Sequence, residues 1–155
     1  MNDLNRYLCL ELGGESFAIP LLSVREVIAR PDTTPVPQMP SAFLGIINLR
    51  GQVLSVLDLR LKLSIKPKDS EESAVIILDL EGYRMGVLVD RVNSVLPMNP
   101  EEISANPMEH ATGKTQHITG VFRHDEKLIL LLDVWKALSG EERATVTQQQ
   151  AKKAA

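Results

Sequence analysis

The 155-residue chain carries one cysteine, Cys9, so no internal disulfide can form. Cys9 lies in the alternating run Tyr7-Leu8-Cys9-Leu10-Glu11-Leu12 and reads as a small buried hydrophobe. Aromatic residues make up only 4% of the chain, too few for the stacking platforms that hold single-stranded nucleic acid. Positive charge is not in excess: the formal net charge is -3, which argues against binding to a duplex. No stretch reaches the roughly 18 consecutive apolar residues needed to span a bilayer. Met1 to Arg6 lacks a basic region followed by a long apolar core, so no signal peptide is read there. The expectation is a soluble intracellular protein with no membrane insertion and no nucleic-acid partner. No Gly-x-Ser-x-Gly elbow, phosphate-binding loop or dinucleotide fingerprint occurs. His110, His117 and His124 are too scattered for a metal-ligand pattern. No catalysis, metal or cofactor is therefore expected.

What the chain has is a repeat. Gly45-Ile46-Ile47-Asn48-Leu49-Arg50-Gly51, continuing through Val53 and Val56 to Asp58-Leu59-Arg60, is echoed from Gly120 to Leu138. Aligned without gaps, Gly45 falls on Gly120, Asp58 on Asp133 and Leu63 on Leu138. Leu10-Glu11-Leu12-Gly13-Gly14 matches Leu78-Asp79-Leu80-Glu81-Gly82, and Val24 and Val27 fall on Val92 and Val95. Self-similarity of this kind marks one supersecondary unit written twice.

Alternation predicts strands over Tyr7–Leu12 and Ser16–Ile19, with Gly13-Gly14 supplying a tight turn. The segment from Pro20 to Ile28 fits either a short helix or a strand. Pro31, Pro35, Pro37 and Pro40 mark a loop, since proline cannot donate to a sheet ladder. Phe43–Leu49 and Gln52–Leu59 read as a hairpin, the second strand apolar on both faces around Ser55. Polar Ser64–Ser73 reads as a linker between copies, and 97–116 as a long loop. Ile118–Phe122 and Leu128–Leu132 form the last hairpin, followed by a short helix through Trp135. The prediction is an all-β fold of two small five-stranded barrels with a short C-terminal helix. A single domain over 4–140 is expected to divide into a first barrel at about 15–64 and a second at 74–135, the latter including the N-terminal strand. Residues 141–155 have almost no apolar stripe and read as frayed helix or disorder. Asp58 and Asp133 read as caps of the turns or helices that follow them, because an aspartate oxygen accepts from free backbone N–H groups. Arg50 at the hairpin turn and Glu26 within Val24–Ile28 are the charges held nearest to defined backbone.

The Gly45–Gly51 run and Asp58-Leu59-Arg60 resemble the signature of the CheW family of chemotaxis adaptors. So do Phe17-Ala18-Ile19-Pro20, Val24-Arg25-Glu26-Val27 and Gly86-Val87-Leu88-Val89-Asp90. The resemblance runs nearly to Leu138. It implies two SH3-like five-stranded barrels and a non-catalytic role, joining the cytoplasmic tip of chemoreceptors to the regulatory domain of a CheA-type histidine kinase. By match to the family pattern, Val24, Glu26, Arg50 and Val75 are the receptor-groove candidates, and Gly120, Val121, Phe122 and Leu138 the kinase-docking candidates. A loop within Ile103–Ala111 is where a second kinase contact, the one that closes rings, would fall. The resemblance also implies a protein monomeric on its own, cytoplasmic and recruited to membrane-associated receptor arrays. A related scaffold in another kinase array, such as one for type IV pilus motility or surface sensing, is the alternative.

Overall fold

A computed structural model describes residues 5–68, 70–105 and 117–154. The first repeat runs β1 (Arg6–Leu12), β2 (Glu15–Pro20), β3 (Val24–Ala29), β4 (Phe43–Leu49), β5 (Gln52–Asp58) and a one-turn helix α1 (Leu59–Lys62). The second runs β6 (Ala74–Leu80), β7 (Tyr83–Val89), β8 (Arg91–Pro97), β9 (Ile103–Ser104), β10 (Ile118–His124), β11 (Lys127–Leu132) and α2 (Val134–Ala137). A final helix, α3 (Gly140–Ala154), follows. The all-β expectation holds. Val24–Ala29 resolves as a strand, as its β-branched residues Val24, Val27 and Ile28 favour.

The strands form two sheets, of order β8-β1-β2-β11-β10-β9 and β3-β6-β7-β5-β4. The repeat is visible in matching irregularities. A bulge lies between Phe43 and Gly45 against β5, and another between Ile118 and Gly120 against β11. β5 pairs in parallel with β7, and β11 in parallel with β2. Each copy, however, lends its leading hairpin to the other. β1 and β2 lie in the sheet of β8, β10 and β11, whereas β6 and β7 lie in the sheet of β3, β4 and β5. The expected division at 15–64 and 74–135 is corrected accordingly: β2 leaves the first sheet, and β6 and β7 join it. The other sheet has six strands if the two-residue β9 is counted.

Side-chain alternation explains why both faces of the central strands are apolar. In β6, Val75 and Ile77 enter a small core inside the first sheet, while Ile76 and Leu78 enter the large core shared by the two sheets. Leu54 and Val56 of β5 join the small core, and Leu57 the shared one. Cys9, Ala18, Met98, Phe122, Ile129 and Leu131 form the matching small core of the other sheet. Burial pushes the Cys9 thiol pKa up, in keeping with its role as a hydrophobe.

The C-terminal segment differs from the frayed or disordered tail expected. Val146 on α3 is buried in the shared core. Ser139 and Glu142 cap the helix reciprocally, the Glu142 carboxylate accepting from Ser139 N–H and the Ser139 hydroxyl from Glu142 N–H. Lys62 of α1 pairs with Glu142 at 2.7 Å. Arg143 donates to the carbonyl of Trp135 and lies 5.3 Å from its ring centre. One apolar anchor and several polar ties hold the helix, so no apolar stripe announced it.

Candidate functional site

The β4–β5 hairpin closes through Arg50-Gly51, with φ of 51° and 83°. Two positive φ values in a two-residue loop define a type I′ turn, whose twist matches the strands it joins. Asn or Gly is the usual first residue, and a left-handed arginine is strained by about 1 kcal/mol. Asn48 Oδ1 steadies the turn by accepting from Gly51 N–H at 2.9 Å. Across the sheet, β3 is an edge strand, paired with β6 alone. Its pairing shifts register between Val24 and Glu26. Arg50 and Glu26 meet as a two-pronged ion pair, Nη1 to Oε1 at 2.5 Å and Nη2 to Oε2 at 2.9 Å. The hydrogen bond from Arg50 holds the Glu26 carboxyl below its ordinary pKa, and Glu26 raises that of Arg50. Arg25, Arg50, Arg84, Gln52 and Leu49 surround a shallow depression of about 200 Å³ over this pair. The Arg50 side chain remains 73% exposed, so its pairing within the chain leaves it open to exchange with an incoming carboxylate or carbonyl.

Of the four groove candidates, the structure brings Glu26 and Arg50 together at one surface, whereas Val24, across the register shift in β3, packs partly buried against the shared core. Val75 is buried at 1% behind that surface, its side chain packed towards Gly86. It belongs to the small core beneath and presents no surface of its own. The second set is mostly interior. Phe122 and Leu138 belong to cores, and Gly120 sits at the β10 bulge against Ile103 and Leu131. Gly120, Phe122 and Leu138 are thus buried, and Val121 alone of that set is half-exposed. Of Ile103–Ala111, residues 106–111 lie outside the described residues.

Sequence reasoning missed a buried ion cluster. Arg60 is 1% exposed, and its guanidinium donates to both oxygens of Asp58 at 2.9 and 3.0 Å and to Asp90 Oδ1 at 2.9 Å. Asp90 also accepts from the backbone of Gly13 at 2.6 Å and of Lys68 at 3.3 Å. The cluster thus ties α1, the β1–β2 turn, the linker and the β7–β8 junction together. Asp58 was legible as a cap, and it does accept from Arg60 N–H. Nothing in the pattern linked it to Asp90.

Among the described residues, no helix is long and apolar enough to cross a membrane. Residues 6–142 match the family model described as the CheW-like domain. The chemotaxis protein CheW of Klebsiella aerogenes is 33% identical over 141 residues, covering 90% of this chain and 85% of that protein. The crystal structure of the scaffolding protein TtCheW from Thermoanaerobacter tengcongensis superposes with a TM-score of 0.77 at 30% identity, covering 83% of this chain and 88% of that one. A shorter match, 38% identical over 53 residues and 34% of this chain, is to protein FrzA of Myxococcus xanthus. Two interlocked repeats with the bulged Gly45 hairpin, matched over nearly the full chain by family model, sequence and fold, make this protein a member of the CheW-like family of chemotaxis adaptors.

Proposed function

We propose that this chain is a non-catalytic adaptor that couples the cytoplasmic tip of chemoreceptors to the regulatory domain of a CheA-type histidine kinase. The observation that carries the receptor half is Arg50, kept in a strained turn position, paired with Glu26 and still exposed. Glu81 takes the same φ in the repeat-related turn, so what sets Arg50 apart is its exposed two-pronged pairing with Glu26. A helical receptor tip laid along the β3 edge would meet the Glu26–Arg50 pair on one side of the strand, charges that set register, and the exposed Val27 on the other as an aliphatic anchor. For the kinase half, Val121 is the member of its set with surface to offer, on a strand whose other side packs the small core. Recruitment to membrane-associated arrays follows from receptor binding and needs no membrane segment in the chain itself.

Arg50→Asn tests the reading. Asparagine tolerates the left-handed conformation, so the variant should fold with equal or slightly higher Tm. Calorimetric titration with the kinase regulatory domain should stay within about twofold of wild type, while co-sedimentation with receptor-containing membranes drops at least about tenfold, some 1.4 kcal/mol. Undiminished receptor binding by a folded Arg50→Asn protein would remove Arg50 from the contact. The partial FrzA match gives a second reading, a scaffold in a different kinase array. Binding to that array's kinase in place of the chemotaxis kinase would select it.

A further inference from the structure

The interlocked repeat supplies two equivalent clefts, one crossed by the linker and one that no described segment crosses. In the first repeat, the turn Gly13-Gly14 and the cap Asp58 face the linker that follows α1. Ile65 lies against Gly13, Ile65 N–H donates to Arg60 C=O at 2.8 Å, and Lys68 N–H donates to Asp90. Aligned by the repeat, Gly13-Gly14 becomes Glu81-Gly82, Asp58 becomes Asp133 and Arg60 becomes Trp135. After α2 the chain departs into α3 and no described segment returns over this place. A cavity of about 220 Å³ is left there. No described atom lies within 4 Å of where a Cβ on Gly82 would stand.

We propose that this open cleft receives an extended basic segment of a partner protein, seated as the chain's own Ile65-Lys66-Pro67-Lys68 is seated in the first repeat. The floor is apolar, made of Ile19, Leu78, Leu132 and the Trp135 ring, which stacks on Tyr83 with centres 6.3 Å apart. The rim carries Glu81 and Asp133, with Asp79 at 3.9 Å from Arg84, a partly compensated negative edge that suits lysine or arginine flanking one aliphatic residue. The buried guanidinium that neutralises the first site has no counterpart here, since tryptophan stands in its position. With Arg84 beside Asp79 and Arg143 over the outer face of Trp135, a basic partner would bring its positive charge to Glu81 and Asp133. None of the eight residues considered for receptor or kinase contact lines this cavity, so the inference is independent of the adaptor reading.

Trp135 is the only tryptophan in the chain and lines the cleft, so its emission reports occupancy directly. The probe is the capped peptide of residues Leu63–Lys68, titrated against the full chain at low salt. A saturable change in Trp135 emission with a Kd of about 1 mM or tighter is expected. Glu81→Lys should weaken it at least fivefold, and a peptide with both lysines replaced by glutamate should not bind. Amide NMR shifts should centre on Leu80, Glu81, Thr119 and Trp135. No saturable change up to about ten times that concentration, equal binding of the glutamate peptide, or shifts centred on Arg50 instead would each overturn the proposal. So would concentration-dependent self-association that alters Trp135 emission without peptide, because the occupant would then be a second copy of this chain.

Discussion

Arg60→Met isolates the energetic meaning of the buried cluster. The substitution keeps much of the side-chain volume but leaves the Asp58 and Asp90 carboxylates facing each other's site, both less than a tenth exposed. Their remaining described partners include the backbone N–H groups of residue 60, Gly13 and Lys68. Breaking a buried pair by removing one member costs about 3–5 kcal/mol, because the residual charge stays uncompensated. Domains of this kind are stable by about 5–15 kcal/mol, so roughly a fifth or more of the total is at stake. With a urea slope of roughly 2 kcal/mol per molar, the denaturation midpoint should fall by about 2 M. The triple variant Asp58→Asn, Arg60→Met, Asp90→Asn removes the charges yet keeps amide oxygens to accept from Gly13, Lys68 and residue 60. It should recover to within about 1 kcal/mol of wild type, since neutral replacement of a buried ionic group is often close to neutral in stability. A triple variant no more stable than Arg60→Met would show that lost packing, and not stranded charge, dominates. A loss under 1 kcal/mol in the single variant would mean that water reaches the cluster.

The repeat-related glycines should respond unequally. A Cβ on Gly45, at φ +146°, runs into the carbonyl backbone of Thr34, so Gly45→Ala should cost about 3 kcal/mol or more, whereas Gly120→Ala needs no left-handed backbone and meets the Ile103 γ-methyl and, less closely, the Ser104 carbonyl oxygen, so it should cost less by urea titration. Val146→Ala should destabilise the protein by about 2 kcal/mol if α3 is docked through that side chain; a thermal midpoint unchanged from wild type would contradict the docking. Burial, reinforced by the Lys62 charge, holds the His117 pKa below its ordinary value. The unfolded chain then takes up a proton that the folded chain resists, so this contribution to stability is present above about pH 6.5 and is lost as pH falls below it. Thermal midpoints measured from pH 7 to pH 5 should fall less steeply for His117→Gln than for wild type, and parallel slopes would exclude the effect.

The hairpins were readable because two periods coincide there. Alternating apolar residues name the strands, and Gly13-Gly14, Arg50-Gly51 and Glu81-Gly82 name the turns that join them. The partner sheet of each hairpin was not readable. Val75 and Ile77 on one face of β6, and Ile76 and Leu78 on the other, are apolar alike, so the pattern demands two cores without saying whose. Arg60 escaped notice for a related reason: a charged residue after an apolar strand reads as solvated unless its counter-charges are known to converge, and Asp90 comes from the other repeat. The site was half legible. Arg50 stood out at its turn, but its pairing with Glu26 depends on sheet order. The burial of Val75, Phe122 and Leu138 shows how an apolar family signature records packing as readily as contact.

The exchanged hairpins also determine how the molecule can move. The chain passes from one sheet to the other after β2 and again after β7, and the cluster around Arg60 fastens the second passage to the opposite repeat's turn and linker. Two layers joined by one strand can swing like a door. Two layers joined by two passages of chain, a shared apolar core and a buried ion cluster have no single hinge about which to turn. A push delivered at the β3 edge is therefore expected to reach the far sheet through these ties.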